Sequence, residues 1–290
     1  MRVTVTGAGG QLGAVLVQEF TSAGHDVTGL AHRDLDIGAD AAVAAAIDRA
    51  LPDVIVNAAA WTDVDAAEDH PIDALNANAF GVRALARAAR RHDATLVHFS
   101  TDFVFDGAKE RPYVETDPTN PRSVYATSKV LGEWFTADAP RAYVLRVESL
   151  FGGVPGGPPA RGTVETIAAT LGRGESPTVF VDRTVSPTYA LDAARATRQL
   201  VEMRALPGLY HCVNAGSCTW FEFADALARQ LGVDVRLTPV RMHEVTLRAV
   251  RPQYCVLSND KLRSVGIAMP SWQDALARFV VSRPPVVARR

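Results

Sequence analysis

The sequence predicts an α/β protein with a doubly wound parallel sheet, and two observations lead to this prediction. A short β-branched segment at residues 3–6 runs into a glycine-rich turn and then into a helical pattern that begins at Gln11. Short apolar segments then alternate with helical patterns as far as residue 147. Strands separated by helices of this length imply a parallel sheet covered on both faces, which is the Rossmann type of fold.

The first half of the chain alternates regularly. Its first helical pattern covers residues 11–23 and stops at Gly24. The apolar run at residues 53–57 is typical of a strand buried on both faces. Further strands are predicted at residues 26–30, 95–100 and 142–147, and further helices at 39–51, 72–91 and 123–136.

The second half begins after a cluster of glycine and proline at residues 152–159, which breaks any regular element. We therefore predict a Rossmann domain at residues 1–150. Residues 151–290 are expected to form mainly a smaller, irregular α/β substrate-binding domain, with some segments returning to the first. A strand is predicted at residues 178–181, and helices from residue 163 and at 191–203, 221–231 and 272–281.

Composition favours small-molecule chemistry. The 290 residues carry a formal net charge of -2, so the chain has no general basic field for nucleic acid and no polybasic tract for a membrane surface. No apolar run reaches the length of a membrane span, and the amino terminus lacks a signal-peptide pattern. Three cysteines fit no zinc-type pairing. We expect a cytoplasmic protein with no nucleic-acid or membrane partner.

The glycine turn predicts nucleotide binding. Gly7 permits a tight turn, Gly10 lets the backbone approach a pyrophosphate, and Gly13 lets helix and strand pack closely. The amino end of the following helix offers amide donors and a favourable dipole for phosphate. The alternative is a purely structural turn, but its place between a strand and a helix is the context that the nucleotide fingerprint requires.

The residues after the second strand bear on the choice of cofactor. An acidic residue at that strand end would hold the ribose hydroxyls of NADH. Arg33 stands close to this point instead and could pair with a 2′-phosphate, which favours NADPH. Asp34 and Asp36 keep NADH open, and the other interpretation of Arg33 is a solvated surface arginine.

Tyr125 and Lys129 are candidate catalytic residues. They are four residues apart in a predicted helix, so both side chains lie on one face. The chain has only three lysines, which makes an accidental pair of this kind rare. An ammonium group near Tyr125 would lower the pKa of the phenol, which could then donate a proton to a carbonyl oxygen as hydride reaches its carbon.

Thr101 follows the predicted fourth strand, at the sheet edge where open α/β folds bind ligands. Its hydroxyl could hold the same carbonyl oxygen as Tyr125. The alternative is a capping or turn hydroxyl, because Thr101 and Asp102 are both residues that stabilise turns.

The motifs together resemble the extended short-chain dehydrogenase/reductase family. The general signature is the glycine triplet, residues 57–60 after the third strand, and the Tyr125–Lys129 pair. Within that family the chain is similar to the dTDP-4-dehydrorhamnose reductases, and the similarity covers nearly the whole chain. It is carried by residues 10–13, 34–37, 52–62, 99–107, 186–188, 208–211 and 251–252.

The resemblance implies that NADPH or NADH reduces the 4-keto group of a nucleotide-linked deoxysugar. It makes Tyr125 the proton donor, Lys129 the residue that orients the nicotinamide ribose, and Thr101 the group that polarises the ketone. Asp102, Arg251 and Thr101 are implied at the sugar nucleotide. The implied cofactor contacts are Gly7, Gly10, Gln11, Leu12, Gly13, Arg33, Asp36, Ile37, Ala58, Ala59, Ala60, Thr62, Tyr125 and Lys129.

The chain departs from that pattern on the sugar side. Where the rhamnose-forming enzymes carry RTSWVYG, residues 146–152 read RVESLFG, so Ser149 stands in place of the tryptophan that contacts the sugar. Arg183 replaces the more usual glutamine, and Cys255 replaces a serine or threonine. Cys255 is either a reactive thiol or, as we expect, a small buried residue.

Two alternatives to the reductase remain open at this point. One is a non-catalytic, NADP-binding subunit like the regulatory subunit of methionine adenosyltransferase, and the other is a nucleotide-sugar epimerase. We expect no metal, because neither His98 nor His211 has a second ligand at metal-binding spacing. The expected partner is a nucleotide-sugar substrate, with a homodimer possible.

Overall fold

The structure is a computed structural model and describes residues 1–158, 160 and 162–283. Its strands are β1 (Arg2–Thr6), β2 (Asp26–Leu30), β3 (Val54–Asn57), β4 (Thr95–Thr101), β5 (Arg141–Val147), β6 (Leu150–Phe151), β7 (Thr178–Phe180), β8 (Thr184–Val185), β9 (Thr188–Tyr189), β10 (Gly208–His211), β11 (Cys218–Thr219) and β12 (Thr238–Val240).

The helices connect these strands. They are α1 (Gln11–Ser22), α2 (Asp40–Ala50), α3 (Val64–Asp69), α4 (Pro71–Leu75), α5 (Gly81–Arg91), α6 (Val124–Phe135), α7 (Thr163–Gly172), α8 (Ala190–Glu202), α9 (Trp220–Leu231), α10 (Asp260–Ser264) and α11 (Trp272–Ser282). Among the residues that the structure describes, no helix is long and apolar enough to cross a membrane.

The central sheet has six strands in the order β10-β5-β4-β3-β1-β2, and every pairing in it is parallel. The chain leaves β1 towards β2 on one side and returns to β3 on the other. The carboxyl ends of β1 and β3 therefore flank the switch point at which open α/β sheets bind ligands. The predicted fold class is confirmed.

Helices cover both faces of the sheet, as the buried strands require. On one face α1 packs against α8 over a core that contains Val5, Leu16 and Leu145. On the other face α2 and α5 enclose a core that contains Ile47, Leu85 and Leu96. All four residues of β3 are buried because apolar side chains meet the strand from both sides.

A second core is built from the later part of the chain. It joins α7, α9 and α11 around Phe151, Trp220, Phe223, Trp272 and Phe279. Two later segments lie with the first half instead: β10 pairs with β5, and α8 contacts α1. The sheet is therefore completed by residues that follow the glycine and proline cluster.

The helix predicted at residues 72–91 is not one regular helix. A π-helical turn at Asn76–Phe80 separates α4 from α5. Such turns insert one extra residue into the helical ladder and frequently occur at functional sites. The side chain of Asn78, which lies in this turn, is fully buried.

Candidate active site

The glycine turn fits the predicted roles closely. Gly7 has φ of +70°, and a Cβ there would stand 2.5 Å from the amide nitrogen of Ala59. A Cβ on Gly13 would stand 2.0 Å from the carbonyl oxygen of Gly7, so only glycine lets α1 pack this close to the turn. Gly10 caps α1 without a side chain and remains exposed. The amino end of α1 is thus built from backbone, with a cradle that a side chain would fill.

A groove of about 610 Å³ lies beside this turn. Ala8, Gly9 and Ala31 form part of its wall, and Val154 and Gly157 close it from the second half of the chain. Small side chains and accessible backbone suit an extended dinucleotide. The residues present therefore fit the predicted cofactor.

Arg33 lies on the rim of the same groove. Its side chain is 89% exposed, with Nε 3.7 Å from a carboxylate oxygen of Asp34. Asp34 in turn accepts a hydrogen bond from the amide of Ala31. This position is compatible with pairing to a 2′-phosphate.

The other predicted cofactor residues differ in whether their side chains are exposed or buried. Asp36 is exposed and accepts a hydrogen bond from the amide of Gly38. Leu12 and Ile37 are 8% and 4% exposed, so their side chains belong to the core and their backbone is the part that could meet a cofactor. The Gln11 side chain donates to the carbonyl oxygen of Gly152.

Asn78, a residue that the sequence interpretation missed, holds the loop after β3 through hydrogen bonds. Its amide oxygen accepts from the amide of Trp61, and its Nδ2 donates to the Trp61 carbonyl and to Ser128 Oγ. This clamp fixes the loop that carries Ala60 and Thr62, both exposed, and ties it to α6. Ala58 at the start of the loop donates to the Thr6 carbonyl. The available signal was an asparagine, a poor helix former, inside an apolar helical pattern.

The three predicted catalytic residues come together at the carboxyl edge of the sheet. Thr101 is the last residue of β4 and is buried, while Tyr125 and Lys129 lie one turn apart on α6, which begins at the Ser123 cap. The Thr101 hydroxyl lies near enough to the Tyr125 phenol to lower its pKa. The ring of Phe103 meets the Tyr125 ring edge-on, with centroids 5.7 Å apart.

Lys129 is buried, and its Nζ donates to the carbonyl oxygen of Phe99 at 2.6 Å. Burial lowers the pKa of Lys129 to about 8, so the amine is mostly charged at neutral pH. Burial also raises the pKa of Tyr125, and the Thr101 hydroxyl opposes this rise. The expected lowering of the phenol pKa by Lys129 is therefore wrong for this arrangement, because the ammonium group is directed at the β4 backbone and burial dominates.

Arg251, predicted at the sugar nucleotide, is paired with a carboxylate. Both of its Nη atoms donate to the two carboxylate oxygens of Asp65, at 3.0 Å and 2.7 Å. This two-oxygen geometry would suit a diphosphate, but in this structure the carboxylate of Asp65, on α3, takes that place. Asp102 is placed differently: it is buried next to Thr101 and accepts a hydrogen bond from the Thr101 hydroxyl at 2.9 Å.

Two of the departures from the reductase pattern, at Arg183 and Cys255, lie beside Asp102. Glu148, Arg183 and Cys255 are all buried around it, and we name these four residues the Asp102 cluster. Burial raises the pKa of the Cys255 thiol well above its ordinary value, which matches a small buried residue and not a reactive thiol. Ser149, in the position of the missing tryptophan, has φ of +46°.

The fold and this site define an enzyme of the extended short-chain dehydrogenase/reductase class. A glycine-rich turn stands at the switch point, and a threonine, a tyrosine and a lysine meet at the same sheet edge. A family model described as RmlD substrate binding domain matches residues 1–283. The chain belongs to that family, and the predicted resemblance is confirmed.

Curated relatives match nearly the whole chain. The chain is 38% identical over 283 residues to the dTDP-4-dehydrorhamnose reductase of Mycobacterium tuberculosis, covering 95% of this chain and 91% of the relative. It is 38% identical over 280 residues to a probable dTDP-4,6-dihydroxy-2-methyloxan-3-one 4-ketoreductase of Streptomyces antibioticus, covering 95% and 93%. It is 34% identical over 283 residues to the spore coat polysaccharide biosynthesis protein SpsK of Bacillus subtilis, covering 97% and 98%.

Solved structures agree with this assignment. The dTDP-4-dehydrorhamnose reductase of Bacillus anthracis, solved in complex with NADP, has a TM-score of 0.91 and 33% identity, covering 97% of this chain and 99% of that one. A UDP-glucose 4-epimerase of Thermus thermophilus has a TM-score of 0.81 but 22% identity, with coverages of 97% and 98%. That likeness shows the fold alone and lends no support to the epimerase alternative.

Proposed function

We propose that this protein uses NADPH to reduce the 4-keto group of a dTDP-linked 4-keto-6-deoxysugar, as its reductase relatives are named for doing. The observation that supports this most directly is the meeting of Thr101 and Tyr125, with Lys129 one turn away, at the carboxyl edge of the sheet. Relatives named as reductases of such sugars add support.

Each residue has a distinct part in the reduction. Tyr125 donates its phenolic proton to the ketone oxygen, and Thr101 donates a hydrogen bond to the same oxygen as negative charge develops on it. Lys129 orients the nicotinamide ribose, and Asp102 and Arg251 bind the sugar nucleotide. NADPH, when bound, supplies the hydride.

The cofactor site extends from the glycine turn to the loop after β3. The turn and the amino end of α1 receive the pyrophosphate, and Arg33 pairs with the 2′-phosphate. Asp36 and the Ile37 backbone face the adenine side. The contacts along the rest of the cofactor are Gln11, Leu12, Ala58, Ala59, Ala60 and Thr62.

The test measures NADPH consumption with a panel of dTDP-linked 4-keto-6-deoxysugars. We expect turnover with at least one sugar, accompanied by release of NADP. Cofactor binding without turnover across the panel would contradict the reductase and leave the regulatory-subunit alternative. Cofactor that stays bound and is recycled would instead support an epimerase.

The boundary between the two domains falls near Phe151. The second core, with members from Phe151 to Phe279, supports this division. In our proposal α8 and β10 return to the Rossmann domain, which otherwise spans residues 1–150. The remaining part of residues 151–290 binds the sugar nucleotide.

We also propose a homodimer in the cytoplasm. Ile72 on α4, Phe80 in the π-helical turn and Trp134 on α6 are 66%, 48% and 68% exposed, which is unusual for large apolar side chains on neighbouring helices. Trp134→Glu should shift the mass measured by light scattering from dimer to monomer. The three buried free cysteines suit a reducing compartment.

A further inference from the structure

The Asp102 cluster is a buried set of charges that the proposed reduction does not fully use. A carboxylate oxygen of Asp102, one of Glu148 and Sγ of Cys255 lie within 4.8 Å of one another. Asp102 and Glu148 are 3% and 1% exposed. The Arg183 guanidinium lies 5.4 Å from the centre of the Phe103 ring, and its Nη2 is 3.8 Å from Cys255 Sγ.

In the carboxyl groups of Asp102 and Glu148, one oxygen accepts a hydrogen bond and the other has no hydrogen-bond partner among the described residues. Glu148 Oε2 accepts from the amide of Ser186 at 2.7 Å, and Asp102 Oδ1 accepts from the Thr101 hydroxyl at 2.9 Å. Glu148 Oε1 and Asp102 Oδ2 are buried with no hydrogen-bond partner among the described residues. Buried oxygens of this kind are costly unless they share a proton or bind a ligand.

The charge balance favours a proton. Two buried carboxylates face one guanidinium, which leaves one negative charge uncompensated unless a proton joins them. Burial raises the pKa of both carboxyl groups, and the charge of Asp102 raises the pKa of Glu148 further. Arg183 already supplies the positive charge, so a divalent cation would meet repulsion here. Cys255 donates its thiol proton to the Pro252 carbonyl and remains neutral.

The cluster is connected to the proposed catalytic centre by a short path. The Thr101 hydroxyl donates to Asp102 Oδ1 at 2.9 Å, and the same hydroxyl lies near enough to the Tyr125 phenol to lower its pKa. A chain of groups able to exchange protons therefore runs from Glu148 through Asp102 and Thr101 to Tyr125.

We propose that Glu148 and Asp102 share one proton and use it to restore the Tyr125 phenol after each reduction, an inference that rests on the proposed function. When the Tyr125 O–H bond has broken to protonate the sugar oxygen, the Thr101 hydroxyl turns from Asp102 Oδ1 to the phenolate. Asp102 takes the proton held by Glu148 and passes it to Thr101 as the Thr101 hydroxyl gives its own proton to the phenolate. A proton from the solvent refills the pair before the next turnover, and no electrons are transferred in these steps.

Glu148 acts through Asp102 and Thr101 and is thus a positioning residue for the proton, not a catalytic one. Several segments bring titratable or charged groups to it, and the pH behaviour belongs to this set as a whole. Those groups are Asp102, Arg183, Cys218, Tyr254 and Cys255.

The first test is Glu148→Gln, which keeps the shape of the side chain but removes its transferable proton. We expect kcat to fall about tenfold or more, with KM for the sugar and Kd for NADPH unchanged. The fall of kcat at alkaline pH should begin at lower pH, and the solvent deuterium isotope effect on kcat should increase. Glu165→Gln, which changes a carboxyl group outside the cluster, should change none of these. A Glu148→Gln enzyme with the wild-type kcat and pH profile would overturn the proposal.

The second test needs no turnover. Infrared spectroscopy of the full chain at pH 7 should show the C=O band of a protonated carboxyl group that disappears in Glu148→Gln and persists in Cys255→Ser. Burial also raises the pKa of Glu165, so Glu165→Gln should remove a different band. Absence of a Glu148 band would overturn the shared proton even in an active enzyme. If the Glu148 band is present but the protein turns over no sugar, the shared proton is supported and the proposed function is contradicted.

Discussion

The proposed cofactor side and the proposed sugar side of this site are built in different ways. The cofactor side consists of backbone, small residues and a positive φ at Gly7, and Arg33, a long charged side chain at its rim, is almost fully exposed. The sugar side buries Glu148 and Arg183 beside Asp102, which accepts a hydrogen bond from Thr101. A backbone-built site can be recognised from spacing, whereas a site of buried charges depends on contacts between distant segments.

The largest effect should come from the residue between the two sides. Tyr125→Phe removes the phenolic proton and should lower kcat by about 10²- to 10⁴-fold, because proton donation in the transition state is lost. Since the ring remains in place, Kd for NADPH, measured by fluorescence titration, should stay unchanged. Retained turnover would mean that another group donates the proton and would break the division between the two sides.

Lys129 also lies between the cofactor side and the sugar side, and its effect on the free energy of unfolding depends on pH. Its ordinary pKa of 10.5 is lowered to about 8, so from about pH 8 to 10.5 the unfolded chain binds more protons at this residue than the folded chain. This residue therefore adds stability as pH rises through that range. Lys129→Met should raise the free energy of unfolding at pH 7 by as much as about 3 kcal/mol and should abolish turnover. It should also remove the increase in stability that wild type shows as pH rises.

Urea unfolding of wild type and Lys129→Met at several pH values measures this difference. The difference between the two proteins should shrink from pH 7 to pH 10.5. A constant difference across this range would show that the amine is not the group that titrates, and would argue against a buried charge beneath the cofactor side.

The backbone character of the cofactor side is tested by Gly13→Ala. Alanine normally stabilises a helix relative to glycine, but here its Cβ would stand 2.0 Å from the Gly7 carbonyl oxygen. We expect a loss of about 1–3 kcal/mol in stability by urea unfolding and weaker NADPH binding. Gly153→Ala is the matched control, because its nearest neighbour, Ala160 Cβ, would be 3.7 Å away. Equal behaviour of both variants would show that the turn tolerates side chains.

The smallest effect should come from Arg33 at the rim. Arg33→Ala should raise Kd for NADPH by roughly three- to tenfold and leave Kd for NADH nearly unchanged, because an exposed ion pair contributes about 1 kcal/mol. Arg49→Ala, another exposed arginine, on α2, should affect neither. Equal losses for both cofactors would support the surface-arginine interpretation and leave the cofactor side without a charged contact.

The sequence predicted most of the fold because its elements are local. Strand β2 was predicted with the observed bounds, and α6 and β4 within one residue at each end, since periodicity and β-branched residues determine them. The π-helical turn at Asn76–Phe80 was missed because its extra residue leaves no sequence period. The partnership of β10 with β5 links residues 65 positions apart, which no local pattern encodes.

The site was predictable to the same extent. Gly7, Gly13, Tyr125 and Lys129 could be proposed from the sequence because their spacing along a short stretch of chain fixes their relation in space. The pKa of Tyr125 was predicted in the wrong direction because burial cannot be judged from neighbours in sequence. Arg183 was visible only as a departure from a pattern and Glu148 was not singled out, so their juxtaposition required the folded chain.

The late position of β10 has a consequence for synthesis. Until residues 208–211 leave the ribosome, β5 is the outermost strand on its side of the sheet, with apolar residues such as Val144 and Leu145 and an open hydrogen-bonding edge. At about 5–20 residues per second, the 60 or so residues in between expose that edge for roughly 3–12 s in every nascent chain. A truncated product that ends before Gly208 should therefore aggregate through β5 and be a substrate for chaperones.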